Sequence, residues 1–311
     1  MSAAATPMNH TFLSSMESSM EPDMTTSQSP ARLSSRSRRA PGARAATSSS
    51  GAAGQTFLRT LRSEWIKLRT LRSTWITAFI AILLASGLGA AFVIGLRSQG
   101  GAESWGYVLA GIPFGQIVVA VLGALAITGE YSSGQIRSSL AAVPNRWRLL
   151  VAKASVLALF SFVLGALSIL IAWIVSAAFV GEAAGSLTDT AFLGFVWGTG
   201  LTYAGTALLA MGLGFLMRST AGAITTVFTL LFVIDIPLNI AALKWDWVST
   251  LRTFEPLNLA PAVYDPFEVI TRWGQPDTIT FLEHWQAALG FALWAVVPMV
   301  LAAVVFSRRD A

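Results

Sequence analysis

The sequence predicts an all-α, polytopic integral membrane protein with six transmembrane helices, and three observations predict it. The 311 residues are 54% hydrophobic and 12% charged with a mean hydropathy of +0.62, more apolar surface than one aqueous core can bury. Six stretches, at 74–96, 107–127, 154–180, 191–216, 221–243 and 285–306, each supply the roughly 20 apolar residues that a helix needs to cross about 30 Å of hydrocarbon. None shows the strict alternation of a membrane barrel strand, so lipid forces their backbone hydrogen bonds into helices.

Residues 1–56 are rich in Ser, Ala, Pro and Gly and contain ARLSSRSRRAPGARAATSSS. They lack the apolar content to fold alone and are expected to form a disordered cytoplasmic tail. The cluster of Arg36, Arg38, Arg39 and Arg44 suits anionic lipid or nucleic acid, but a solvated tail is the simpler reading, so no nucleic-acid partner is expected. A translation start further along the chain is a third reading of this segment.

Residues 57–73 form an amphipathic interfacial helix. In FLRTLRSEWIKLRTLRSTW, residues Phe57, Leu58, Leu61, Trp65, Leu68, Leu71 and Trp75 fall within an arc of about 140° at 100° per residue. Arg59, Arg62, Lys67 and Arg69 lie outside the arc, whereas Glu64 and Arg72 intrude on it. Such a helix belongs in a headgroup layer, either as an anchor or as a docking surface. The run that follows is no cleavable leader, because it begins beyond residue 70, is long enough to span and lacks a small-residue cleavage pattern.

The segment ITGEYSSGQIRSSLAAVPNRWRLLVAK, residues 127–153, returns the second span to the third. Ser132 or Ser133 is expected to cap a short helix, Ile136, Leu140 and Val143 share one face, and Pro144 ends it. Arg146, Arg148 and Lys153 then mark the return to the bilayer.

Charge sets the orientation. Beyond the tail, twelve Lys and Arg residues fall on one side of the six-span arrangement, and only Arg97, Lys244, Arg252 and Arg272 on the other. Basic residues are retained in the cytoplasm, so both termini, including residues 307–311, and the 127–153 loop are expected inside. The opposite loops are acidic, and the 244–284 segment, with Trp245, Trp247, Trp273 and Trp285, is expected to form short interfacial helices.

Several chemistries are excluded. With no cysteine there are no disulfides or thiolate metal sites. His10 and His284 are too far apart for an HExxH metal site. None of Lys67, Lys153 and Lys244 follows a glycine, so the chain has no P-loop and is not an ATPase. Asp235, in LFVIDIPLNI, is the one ionisable side chain inside an expected span. It is a candidate transport-path residue, the competing reading being a shallow position from which it snorkels to water. Pro237 loosens the same helix. Small residues at i and i+4, such as Gly87 with Ala91 and Ala210 with Gly214, suit close helix packing, although chance supplies many in a chain this rich in Gly and Ala.

Glu130, Gly134, Leu140, Pro144, Arg146 and Lys153 occur in the order found in the first cytoplasmic loop of the membrane subunits of type-2 ABC exporters, the ABC-2 permease family. LRSEWIKLRTLRSTW resembles that family's amphipathic approach to the first span, especially in actinobacterial members, and MRSTAGAI, with Arg218 and Gly222, resembles its fourth-to-fifth connection. The resemblance covers roughly residues 57–309 and leaves the tail without a counterpart.

The resemblance implies a permease domain over 74–306 that pairs with a second permease copy or paralogue and with ABC ATPase subunits that hold ATP and Mg, this chain binding no cofactor. It implies that the amphipathic helix and the 129–148 loop form the ATPase-contacting shoulder, with Glu130, Gly134, Arg137, Arg146, Trp65 and Arg69 as candidate contacts. Export of a hydrophobic or amphiphilic drug, antibiotic or lipid across a bacterial plasma membrane is the expected function. An ion-coupled secondary transporter and a non-transport scaffold or sensor are the alternatives.

Overall fold

The computed structural model of the protein describes residues 56–98, 105–143, 145–269 and 282–308. Of the features read from the sequence, the tail up to residue 55, Pro144, Arg272, Trp273 and Arg309 lie outside the described residues.

The amphipathic helix and first span are separate elements. Helix α1 (Phe57–Thr70) stops at Leu71, whose extended backbone (φ −78°, ψ 120°) turns the chain into α2 (Arg72–Ser98). The boundary expected at residue 73 therefore moves back. The Trp75 indole N–H donates to the Arg69 carbonyl at 2.8 Å, satisfying one of the acceptors that the end of α1 leaves open.

A 3₁₀ turn (Trp105–Gly111) leads into α3 (Ile112–Ser132). The short helix α4 (Gln135–Ala142) follows a left-handed Gly134 (φ 70°), a conformation that favours glycine. Its expected cap is corrected: the Ser132 and Ser133 hydroxyls donate back to the Gly129 carbonyl at 3.1 and 2.8 Å, and no side chain caps α4. Ile136 and Val143 are buried and Leu140 half-buried, so its expected apolar face does pack inward. Helix α5 (Arg146–Val180) starts ahead of the expected third span because the Asn145 side chain accepts the Arg148 N–H at 3.1 Å and caps it.

Helix α6 (Thr190–Met217), capped by Asp189, ends on Arg218 in the left-handed region (φ 52°). There the Arg218 guanidinium lies 5.3 Å from the Tyr131 ring centroid. The fifth apolar run is not one uniform helix. It consists of α7 (Thr220–Phe228), a π-turn (Thr229–Val233) and α8 (Asp235–Ala242). Pro237 removes an N–H and crowds the Val233 carbonyl four residues earlier, and the wider turn, with Ile234 N–H donating to Thr229 O at 2.9 Å, lies immediately before it. Short helices α9 (Asp246–Thr253), α10 (Pro256–Leu259) and α11 (Pro261–Tyr264) precede α12 (His284–Arg308). Trp245, Trp247 and Trp285 flank this segment exposed.

Six helical stretches among the described residues are long and apolar enough to cross a membrane: α2, the 3₁₀ turn with α3, α5, α6, α7 to α8, and α12. The chain is a multi-pass, all-α membrane protein, with no strand among its described residues. Helices α3 and α6 are the most buried of the six, and the fifth is the least.

Helix α6 is the axis of the bundle, flanked by α3, α5, α11 and α12. Without hydrophobic drive between helices in lipid, close backbone approach becomes the main attractive term. A Cβ on Gly165 of α5 would lie 2.6 Å from the Thr199 carbonyl oxygen, and one on Gly123 of α3 would overlap the Ala207 carbonyl. Gly214 meets Ile127 in the same way, at 2.7 Å, whereas Gly87 faces open space; of the two small-residue pairs read from the sequence, only the one containing this glycine lies at a tight contact. Buried polar links add direction, with Gln116 Nε2 donating to Thr206 Oγ1 at 2.9 Å and Tyr203 OH to Ile112 O at 3.2 Å.

Gly123→Ala is expected to lower the melting temperature of the detergent-purified protein, an overpacking cost of about 1–3 kcal/mol. Gly87→Ala, whose methyl enters open space, should leave it unchanged or raise it slightly.

Candidate functional site at the shoulder of the bundle

Helix α1 buries an unusual pair of residues, Thr60 and Glu64, one turn apart. Much of its apolar arc, including Leu58, Trp65 and Leu71, remains exposed, so the polar break in the stripe is what faces the bundle. Trp65 and Trp75 clamp Phe160 of α5 between them with edge-on contacts of 6.3 and 6.1 Å, fixing the α1–α2 corner.

Glu64 is only 4% exposed because it meets a balanced ionic cluster. Lys153 Nζ of α5 donates to Glu64 Oε2 at 2.6 Å and to Glu130 Oε1 of α3 at 2.8 Å. Lys67 Nζ donates to Glu64 Oε1 at 2.7 Å, Glu130 Oε1 at 3.3 Å and Ser139 Oγ of α4 at 2.9 Å. Two carboxylates and two ammonium groups thus join four helices with no net charge. Burial alone would push the Glu64 carboxyl up, but Lys153 and then Lys67 outweigh it and hold it below its ordinary value. Burial likewise works to lower the Lys67 ammonium, and Glu64 followed by Glu130 outweighs it and raises it.

The residues singled out from the sequence divide accordingly. Glu130 is buried in the cluster rather than presented at the surface. Gly134, Arg137 and Arg69 are exposed around it, and Trp65 is exposed on one side while packing on Phe160. Arg146 is half-buried, its Nη1 donating to the Phe306 carbonyl at 2.7 Å and its guanidinium 5.7 Å from the Phe306 ring, which ties the start of α5 to the end of α12. Glu64 and Lys67 were not among the site residues expected. Their signal was present in the stripe, as a carboxylate inside the apolar arc with a lysine three residues later.

Asp235 lies at the opposite end of the bundle and is not alone. Arg252 of α9 reaches it through both Nη2 and Nε at 2.9 Å, and Asn258 Nδ2 donates to the same oxygen at 3.2 Å. Glu255 is buried alongside. Burial and then the Asp235 carboxylate push its carboxyl up to about 7, against the pull of Arg252.

The sequence of the chain also matches a known family. The family model described as ABC-2 family transporter protein matches residues 15–311. The chain belongs to this family. A search of curated proteins finds no match. The match begins well before residue 57, so the ABC-2 likeness includes most of the segment that the sequence reading had left without a counterpart. The protein is an ABC-2 permease, a membrane subunit of an ABC transporter.

Two outcomes check the site. Lys153→Met leaves two buried carboxylates to share the Lys67 ammonium, one charge uncompensated, and should cost about 3–5 kcal/mol, seen as a large drop in melting temperature, which Glu64→Gln in the same chain partly restores. At the other end, a raised carboxyl means that the fold holds a proton that the unfolded chain has released. Stability from Glu255 is therefore full below its ordinary value of 4.5 and lost as pH rises through about 7, so the melting temperature of wild type relative to Glu255→Gln should fall across that interval.

Proposed function

We propose that this ABC-2 permease is the membrane-spanning half of an ATP-driven exporter of hydrophobic or amphiphilic compounds, a drug, antibiotic or lipid, in a bacterial plasma membrane. Family membership implies an ABC ATPase subunit as partner, and that subunit supplies ATP and Mg. A second permease copy or paralogue completes the membrane portion. The shoulder faces the cytoplasm, consistent with the excess of basic residues at that end.

The observation that carries this reading is the Glu64–Lys67–Glu130–Lys153 cluster. It fastens α1 to the ends of α3 and α5 and, through Ser139, to α4. A push delivered on the exposed surface of α1 and α4 therefore reaches two spans directly. Arg69, Gly134 and Arg137 are the surface that receives the ATPase, and Trp65 and Arg146 brace it. Glu130 is a positioning residue, since its carboxylate is committed inside. The ion-coupled alternative rested on a lone intramembrane acid, and the pairing of Asp235 with Arg252 removes that motive. Asp235 is proposed instead to dock the outer segment on the fifth span.

The test is gentle purification of the tagged full-length chain from its host, with mass spectrometry of stoichiometric partners and a vanadate-sensitive ATPase assay. A P-loop ATPase should co-purify, and Arg69→Glu with Arg137→Glu should reduce its recovery about tenfold while the melting temperature is kept. Unchanged recovery would take these residues out of the interface, and a preparation without any ATPase, even after crosslinking, would overturn the exporter reading.

A further inference from the structure

Beside the ionic cluster, a cleft of about 400 Å³ opens between α1, α2, α3 and α5. That volume lies within the range of small-molecule sites. Its walls are mainly apolar, formed by Leu68, Leu71, Leu122, Leu125, Ala126 and Leu157, and all four charged residues of the cluster line it as well. The coupling role proposed above makes no use of this cleft.

The chemistry of the cleft follows from the valences around Glu130. The residue is 6% exposed, and its Oε2 has no hydrogen-bond partner, although Oε1 accepts from both lysines. Lys67 commits its three donors to Glu64, Glu130 and Ser139, and Lys153 joins the same two carboxylates. Lys153 spends only two of its three donors there, so the open valences at this end of the cleft are an acceptor on Glu130 and a donor on Lys153, which a group able both to give and to take a hydrogen bond would meet. The four cluster charges already cancel. An ammonium would add an uncompensated charge in a poorly solvated place, and an anion would meet a carboxylate oxygen. An uncharged O–H or N–H preserves the balance. The cleft is open beside Glu130, since a Cβ on Gly129, which lines it, would meet nothing within 4 Å, and a small shift of the buried Glu130 carboxylate brings Oε2 to the ligand.

We propose that this cleft binds an amphiphile whose uncharged hydroxyl or amide head donates a hydrogen bond to Glu130 Oε2, with its hydrocarbon against Leu68, Leu71, Leu122 and Leu125. A membrane lipid and a compound in passage both carry this chemistry. The site does not depend on the exporter reading, because binding is measured without ATPase or transport.

The full-length protein is placed in nanodiscs of phosphatidylcholine, whose headgroup has no N–H or O–H, and exposed to a 1-monoacylglycerol with a photoreactive diazirine in its acyl chain. Labelling is expected on the peptides containing Leu68, Leu71, Leu122 and Leu125. Blocking both glycerol hydroxyls as acetates should reduce it about tenfold or more, the loss of one hydrogen bond to a charged group. Gly129→Leu, which fills the cleft and leaves the cluster intact, should reduce it similarly at unchanged melting temperature. Should that variant fail to fold, Leu125→Trp gives the same test one turn back along α3.

Equal labelling by the acetylated probe, labelling unaffected by cleft filling, or labelling confined to other helices would overturn the site. An alkylamine probe that labels as well as the glycerol probe would overturn the assignment of an uncharged head. Lipid extracted from freshly purified protein separates the sources: a hydroxyl- or amide-headed lipid retained at one per wild-type chain and lost in Gly129→Leu identifies a resident lipid. Labelling without retained lipid identifies an amphiphile in passage.

Discussion

The arrangement of this permease depends on one electrostatic constraint: four charged side chains cannot be buried at the edge of a membrane unless all four are paired. Glu64 and Lys67 arrive on α1, Glu130 on α3 and Lys153 on α5, and removing any one leaves a charge without compensation. Such a cluster adds little net stability over an apolar equivalent, but it penalises every register of α1 except the observed one. Hydrophobic contact alone would let an amphipathic helix slide along the bilayer surface. Ion pairing fixes its rotation and its position along the bundle, so that the apolar stripe is left for lipid and Trp65 reaches Phe160.

The two ends of the bundle solve opposite problems. Within the shoulder's buried cluster, acids and bases are equal in number and the charge cancels. At the far end, Asp235 and Glu255 face the Arg252 cation among the described residues, and burial with the Asp235 charge raises the Glu255 carboxyl into the neutral range. The raised carboxyl of Glu255 brings its charge change toward neutrality, whereas at the shoulder the Glu64 carboxyl is held down and the Lys67 ammonium up, each moved away from it.

Much of this was legible in the sequence, because hydrocarbon thickness imposes a length and a composition that no other environment demands. The six apolar runs, the amphipathic approach to the first of them and the inward face of α4 all follow from local rules. What was not legible depends on contacts far apart in the chain. Glu64 reads locally as a flaw in an apolar stripe and becomes intelligible only when Lys153 is placed beside it. Asp235 reads as an isolated acid until the turn after α8 brings Arg252 back to it. The serines after α3 fit the composition of a helix cap, yet the left-handed Gly134 directs the chain so that they bond backward to α3 instead. The break between the amphipathic helix and the first span was read at residue 73, two residues beyond the extended Leu71 at which α1 stops.

The glycine contacts around α6 have a mechanical corollary. Where α3, α5, α11 and α12 meet α6 through glycine, main chain touches main chain, or nearly so, with few side-chain rotamers between them to act as cushions. Assemblies joined in that way deform little and carry load as a beam. Compliance must then reside where such contacts are missing. That place is the fifth span, which is interrupted by a π-turn and continues into α8, a helix without a single buried residue. Under the proposed coupling, a load applied at the shoulder would pass along the stiff beam and be taken up as bending in the soft span.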